Sequence, residues 1–414
     1  MAQRPGIFPT FFLSGFECSC FLWKDQGRRD LVAETRHREH AWEDYRLLHE
    51  LGIAVAREGI PWPMADRQGK YDFSSITPFI EAMKEYKITA IWDLCHYGYP
   101  DDLDPYQPAF RERFGAYCRA AATHIRKNLP GPYYFTPINE ITFFSFCGAE
   151  WGWVAPYGHS KEERMRFRLA LCHAAIEGVK AIREVIPEAR MIHVDPLVQV
   201  VAPRDRPDQA QAAWHETYVD TFLAWDVIYG KEHPELGGAP DILDIVGANN
   251  YSFGQMEYRE HGPHAALPPD DDRIQPLCEL LKTVWERYRR PMIISETSGM
   301  GKGRAAWMKD VTEEALAAVN QGMDLQAICL FPAVDMPDWH TGKWLHNGIC
   351  DMVEQDSDLL RVQDQDYVAE LRRWQKELNR VTRLDEDPYS DPVELNDVIE
   401  AARRLQKRPD KDWC

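Results

Sequence analysis

The chain has 414 residues, 44% of them hydrophobic and 28% charged, with a formal net charge of −18. That length suits a barrel with extended loops, and the composition supports a large core. The acidity argues against a nucleic-acid partner, whose phosphates would repel this surface, and against an anionic membrane.

The ten cysteines form no CxxC pair and show no metal-ligand spacing. Cys118 and Cys172 fall on helical patterns, so cysteine here reads as a small buried apolar residue of a reduced protein. Met1 to Pro9 lacks a basic stretch leading into an apolar one, and no run of about 20 apolar residues occurs. The expectation is a cytoplasmic chain that does not span a membrane.

Along the chain, short apolar runs rich in β-branched and aromatic residues alternate with segments of helical period. The first run covers 10–16. The stripe Ala41, Tyr45, Leu48, Leu51 then predicts a helix closed by Gly52, and a second run covers 53–58. Ile76, Phe79, Ile80, Met83 and Tyr86 mark the next helix, before a run at 89–94. Phe110, Phe114, Tyr117, Ala121 and Ile125 mark another, before a run at 133–138. A long helix from Met165 to Ile186 stops at Pro187 and leads into 190–194. Weaker helical patterns at 210–229, 275–289 and 305–321 alternate with runs at 243–249, 291–295 and 326–331. A last helix is predicted at 367–378.

Continuous apolar runs suit strands buried on both faces. Eight such alternations, with no glycine-rich nucleotide turn after the first strand, predict a (β/α)8 TIM barrel over residues 1–384. Three insertions, 17–36, 140–160 and 252–272, follow strands and so belong at the catalytic end of a barrel. From residue 385 the chain is polar, a tail that either docks on the barrel or makes a contact in a homo-oligomer.

Two glutamates end different strands: Glu140 after Asn139, and Glu296 after Ile294-Ser295. By strand count they close the fourth and seventh strands. Two carboxyls across a glycosidic bond, about 5–5.5 Å apart, retain the anomeric configuration. One is protonated and serves the leaving oxygen; the other is ionised and attacks carbon. Either glutamate alone is an ordinary strand-end carboxylate, but the pair at these two ends is specific.

Over roughly residues 10–350 the ordered motifs resemble the clan A glycoside hydrolases, most closely family 1, the β-glucosidase and β-galactosidase family. They are Phe12-Leu13-Ser14-Gly15, Leu51-Gly52-Ile53 through Arg57 with Ile60-Pro61-Trp62-Pro63, Trp92 through His96, Asn139-Glu140, Asp244 through Tyr251, Ile294-Ser295-Glu296, and Asp335 through Trp339 with Gly342 and Gly348. The resemblance implies Glu140 as acid/base and Glu296 as nucleophile, with Arg57 and Tyr251 against the nucleophile. It also implies His96 and Asn139 on sugar hydroxyls, and Asp338 and Trp339 at the eighth-strand loop. The plainer readings are a structural ion pair for Arg57, a core histidine for His96 and a packing role for Tyr251.

The chain departs from that family at several places. No glutamine stands in register at Glu17 to Leu22, Phe331 replaces a tryptophan, Asp338 replaces a glutamate, and Tyr97 replaces the tryptophan after the histidine.

The resemblance implies a retaining β-glycosidase of small glycosides that needs no metal or cofactor. The same carboxyls would also serve transfer to an acceptor alcohol, and a carbohydrate-binding barrel without turnover is the rival of another class. Aromatics crowd the expected mouth (Phe143, Phe144, Phe146, Trp151, Trp153, Tyr157, Trp344), as sugar platforms or as a loop core. Gly299 through Arg304 reads as a mobile loop, with a phosphate site the weaker alternative. His340, His346, Asp335 and Asp338 match no metal-ligand spacing.

Overall fold

The computed structural model describes residues 6–382 and 395–405. Eight parallel strands close into a barrel: β1 (Phe12–Gly15), β2 (Val55–Gly59), β3 (Thr89–Asp93), β4 (Tyr134–Thr136), β5 (Arg190–Pro196), β6 (Ile245–Asn249), β7 (Met292–Thr297) and β8 (Leu325–Leu330). Each pairs with its sequence neighbours, and β1 joins β8 with Phe12 opposite Ile328 and Ser14 opposite Leu330. All eight predicted runs are present, as is the (β/α)8 architecture. The outer ring contains α1 (Ala41–Glu50), α2 (Thr77–Tyr86), α3 (Pro108–Asn128), α4 (Lys161–Val185), α5 (Leu223–Tyr229), α6 (Leu277–Tyr288), α7 (Arg304–Asn320) and α8 (Gln365–Thr382).

The helix limits have local causes. Ser160 accepts the Glu163 amide with its hydroxyl, and the Glu163 carboxylate reaches back to the His159 amide, a reciprocal cap that starts α4. Beyond α1, Gly52 takes φ +70°, a left-handed turn that glycine adopts without steric cost.

Inside the barrel the two-residue period of a strand separates core from site. Leu13, Val55, Ile91, Tyr134, Ile192, Ile245, Ile293 and Ala327 fill the lumen as one apolar cluster. Two residues further along β2 and β3 the inward positions turn polar, at Arg57 and Asp93, which bond to each other at 2.7 Å. Glu58, on the opposite face of β2, is held outside the lumen by His37 and the Tyr45 hydroxyl. Phe331 and Arg57 crowd Gly15 so closely that a Cβ there would lie 2.7 Å from the phenyl ring and 2.9 Å from Arg57 Cβ. Only glycine lets this arginine and this ring pass.

The three insertions build the mouth. Residues 17–36 hold two short paired strands and a helical turn, and 140–160 begins with the helix Ile141–Ala149. The third insertion adds the strands Gln255–Glu257 and Ala265–Ala266, which extend a small sheet begun by Gln199–Val201.

The expected C-terminal tail lies largely outside the described residues. Its described part, the helix Leu395–Leu405, buries Val398, Ala401 and Ala402 and packs against α7 and α8. Nine cysteines are described; all are buried and none of them forms a disulfide with another, and Cys414 lies outside the described residues. Among the described residues no helix is long and apolar enough to cross a membrane.

Candidate active site

Glu296 ends β7 at an irregularity. Ala248 pairs with Ile294 but Asn249 pairs with Glu296, so Ser295 is an extra residue in the ladder. Such a bulge re-aims the following side chain, and here it leaves both consecutive residues in use. Ser295 Oγ donates to Asn249 Oδ1 at 2.6 Å, while the Glu296 carboxylate lines the cavity at the mouth. Arg57 Nη1 donates to Glu296 Oε1 at 2.6 Å and the Tyr251 hydroxyl to Oε2 at 2.8 Å. Each carboxylate oxygen therefore has a donor. Burial opposes the charge on Arg57, but Glu296 and Asp93 outweigh it and raise its pKa.

Glu140 follows β4 in a left-handed conformation, φ +43°, which is uncommon for a residue with a side chain. Its surroundings impose that shape. The Glu140 amide donates to Val194 O at 3.0 Å, and Asp195 takes the Thr142 amide at 3.0 Å and the Thr142 hydroxyl at 2.8 Å. Asp195 thus pins the helix that starts at Ile141. The Glu140 carboxyl accepts from Asn249 Nδ2 at 2.8 Å and from the Tyr97 hydroxyl. Burial, followed by the charge of Glu296, lifts its pKa to about 7, while the two hydrogen bonds pull it down. The two carboxyls share one cavity in opposite environments: one is held by a guanidinium, the other by burial.

Beneath them lies a connected set of donors and acceptors. Arg57 Nη2 reaches Asn139 Oδ1 at 3.0 Å, which orients the amide so that Nδ2 faces His96 Nε2 at 3.1 Å and the Tyr97 hydroxyl at 3.2 Å. His96 Nδ1 lies 3.0 Å from Asp93 Oδ2 and 3.3 Å from Cys18 Sγ. Burial keeps the Cys18 thiol protonated, with its pKa pushed up to about 12, so it packs and does not react.

Of the residues picked out in the sequence, Arg57, His96, Asn139, Glu140, Tyr251 and Glu296 converge in this network. Trp339 lines the same cavity, with its ring centroid 5.1 Å from that of Tyr97, and its buried Nε1 finds no partner.

Asp338 lies apart from this set. Its Oδ1 accepts from the His340 amide at 3.1 Å, the Thr341 amide at 2.7 Å and the Thr341 hydroxyl at 2.8 Å. A short carboxylate caps its own turn, and Asp338 does not line the cavity.

The mouth aromatics divide. Phe143, Phe146, Trp151 and Trp153 line the cavity, whereas Phe144 packs on Phe167 and the Tyr157 hydroxyl bonds to Leu22 O. Arg304 spends its guanidinium on Asp351, Asp364 and the carbonyls of Gly301 and Gly348, so it does not cradle an anion. Asp335 and His346 approach to 3.7 Å, beside Asp351 and Arg304.

Among the cavity residues that carried no role in the sequence reading are Tyr97, Asn249 and Glu17. Asn249 stands inside a quoted motif, and Glu17 at the position where a glutamine is missing. Tyr97 had no signal, because its reach depends on a left-handed backbone at φ +62°. Replacing Tyr97 by Phe removes a donor that favours the ionised Glu140, so the Glu140 pKa should rise. The alkaline limb of kcat/KM is expected to move upward by on the order of one pH unit. A pH–rate profile checks this, and a limb that stays or falls contradicts it.

The cavity has a volume of about 400 Å³ and is walled mostly by apolar side chains. No protein-family model matches the chain, and no curated protein is similar to it in sequence. Solved structures share its fold. A β-glucosidase from Thermotoga maritima in complex with glucoimidazole superposes with a TM-score of 0.73 at 17% identity, over 89% of this chain and 98% of that one. The AHE enzyme from Alicyclobacillus herbarius does so with a TM-score of 0.73 at 17% identity, over 90% and 99%. The same Thermotoga β-glucosidase with deoxynojirimycin gives 0.72 at 17% identity, over 89% and 98%. The barrel resembled in the sequence is therefore the barrel observed, and the divergence is as deep as the departures suggested.

Proposed function

We propose that this chain is a retaining β-glycosidase acting on small glycosides. The observation that carries the reading is the asymmetry of the carboxyl pair. Glu296 takes hydrogen bonds from Arg57 and Tyr251, whereas Glu140 is buried beside that negative charge with its pKa near 7.

In the first step Glu296 attacks the anomeric carbon while the bond to the leaving oxygen breaks, and Glu140 gives that oxygen its proton. A glycosyl ester on Glu296 results. Esterification removes the charge that helps raise the Glu140 pKa, so Glu140 becomes a base at the moment one is needed. It takes a proton from water, the water oxygen attacks the anomeric carbon, and the ester bond breaks to release Glu296. The resemblance between this network and family 1 supports Asn139 and His96 as hydrogen-bonding partners of the sugar. The phenolic donor on Glu140 and the charge partner on Glu296 favour turnover over a binding-only barrel, where neither is needed.

A screen of nitrophenyl β-glycosides, with NMR of the anomer formed first, tests the reading. Release of the β-anomer is expected. First-formed α-anomer, or no hydrolysis of any member, overturns it.

A further inference from the structure

Asn347 lies on the loop after β8 and is only 4% exposed. Its backbone N–H is bound to Asp335 Oδ1 at 3.1 Å, which fixes where the side chain starts. The carboxamide oxygen is buried, with almost none of its surface exposed, and has no hydrogen-bond partner. Yet the residue lines the cavity that holds Glu140 and Glu296. Burying an acceptor without a donor is costly, so buried polar groups are nearly always paired, by protein or by what binds there.

The rest of the wall has a matching character. The Glu17 carboxylate also lines the cavity, with Oε1 held by the Ser19 amide and hydroxyl and lying 3.9 Å from His96 Nε2. Among the described residues no lysine or arginine lines the cavity. Arg57 beneath it is taken up by Glu296, Asp93 and Asn139, and Arg304 is bound elsewhere. An anionic sugar would meet Glu17 and Glu296, with His96 already held by Asp93 at 3.0 Å and no lysine or arginine free to offset them.

We propose that Asn347 reads the glycone. Its carboxamide oxygen accepts a hydrogen bond from a hydroxyl or ammonium group of the sugar, in a pocket that takes uncharged or amine-bearing glycones and rejects acidic or phosphorylated ones. This rests on the glycosidase reading of the cavity. A site built to bond a hydroxyl rejects the analogue that lacks it, because the buried partner is then left unpaired.

The test measures binding by calorimetry on the Glu296→Gln protein, so turnover does not enter. The probes are 4-nitrophenyl β-glucoside and β-galactoside and the 2-, 3-, 4- and 6-deoxy forms of whichever binds more tightly. Asn347→Leu, close in size but without the acceptor, should weaken the parent sugar by about 10-fold or more. One deoxy form should bind both proteins alike, which identifies the hydroxyl that is read. Asn347→Asp keeps an acceptor and should hold the parent sugar within a few-fold.

Glucuronide and 6-phosphoglucoside probes should bind at least about 10-fold more weakly than the glucoside. Equal weakening across all deoxy forms, no weakening at all, or as large a loss in Asn347→Asp as in Asn347→Leu overturns the proposal. So does tighter binding of either anionic probe, or no binding of any probe. Turnover by the unaltered enzyme judges the catalytic reading separately. Binding that follows Asn347 in a protein that hydrolyses nothing would sink the glycosidase and leave the sugar reader standing.

Discussion

Glu296→Gly is expected to cut hydrolysis of an aryl β-glycoside by on the order of 10⁴- to 10⁶-fold, the scale of losing a covalent nucleophile. Azide should restore part of it. Glycine leaves a vacancy where a carboxylate stood, and a small anion in that space attacks the anomeric carbon from the same side. The product should be the α-glycosyl azide, inverted relative to the substrate, because only one displacement now occurs.

The variant is expected to fold. Removing one partner of a buried ion pair usually strands the other charge at a cost of about 3–5 kcal/mol. Here Arg57 keeps Asp93 at 2.7 Å and Asn139 at 3.0 Å, so its charge stays compensated. NMR of the azide adduct and a melting curve check both parts. A β-glycosyl azide, or full activity in Glu296→Gln, would remove Glu296 from the nucleophile's place.

The barrel was legible because parallel strands buried on both faces write unbroken apolar runs. The run at 89–94 became the strand Thr89–Asp93, and the helical stripe at 76–86 became Thr77–Tyr86. The small sheet made by Gln199–Val201, Gln255–Glu257 and Ala265–Ala266 was missed, since strands of two or three residues carry no period.

Within the site, the residues legible in the sequence were those whose position follows from a strand end. Arg57 and Tyr251 met Glu296, and Asn139 met His96, because the barrel brings strand ends together whatever the loops do. Legibility failed where local backbone decides: Tyr97 reaches Glu140 from a left-handed turn that no sequence pattern announces.

Asp338 stands apart from the converging residues. Asp338-Trp339-His340-Thr341-Gly342 is a self-capping turn closed by a glycine at φ +69°, and turn chemistry could have flagged it. Its Oδ1 is bound within that loop, and the residue does not line the cavity. Asn347, nine residues on, is a buried acceptor without one.

Glu140→Ala should separate leaving groups in a way the nucleophile variant cannot. Proton donation matters most when the departing oxygen is basic, so turnover of an alkyl glycoside is expected to fall by roughly 10²- to 10⁴-fold. A dinitrophenyl glycoside leaves without help, and its first step should be nearly unimpaired. The second step still lacks its base, so the glycosyl ester accumulates and a burst of phenol precedes slow turnover. Azide needs no base. It should relieve the second step and give the β-glycosyl azide, because displacement now happens twice.

The alkaline limb should vanish as well. In the proposed mechanism Glu140 must carry its proton for the first step, and with its pKa near 7 kcat/KM should fall as pH rises through that value. Without the carboxyl no proton is lost there, and kcat/KM for the dinitrophenyl glycoside should stay flat across neutral pH. A limb that persists near 7 in Glu140→Ala would assign the titration to another group. An α-azide product would place the acid on the other side of the sugar.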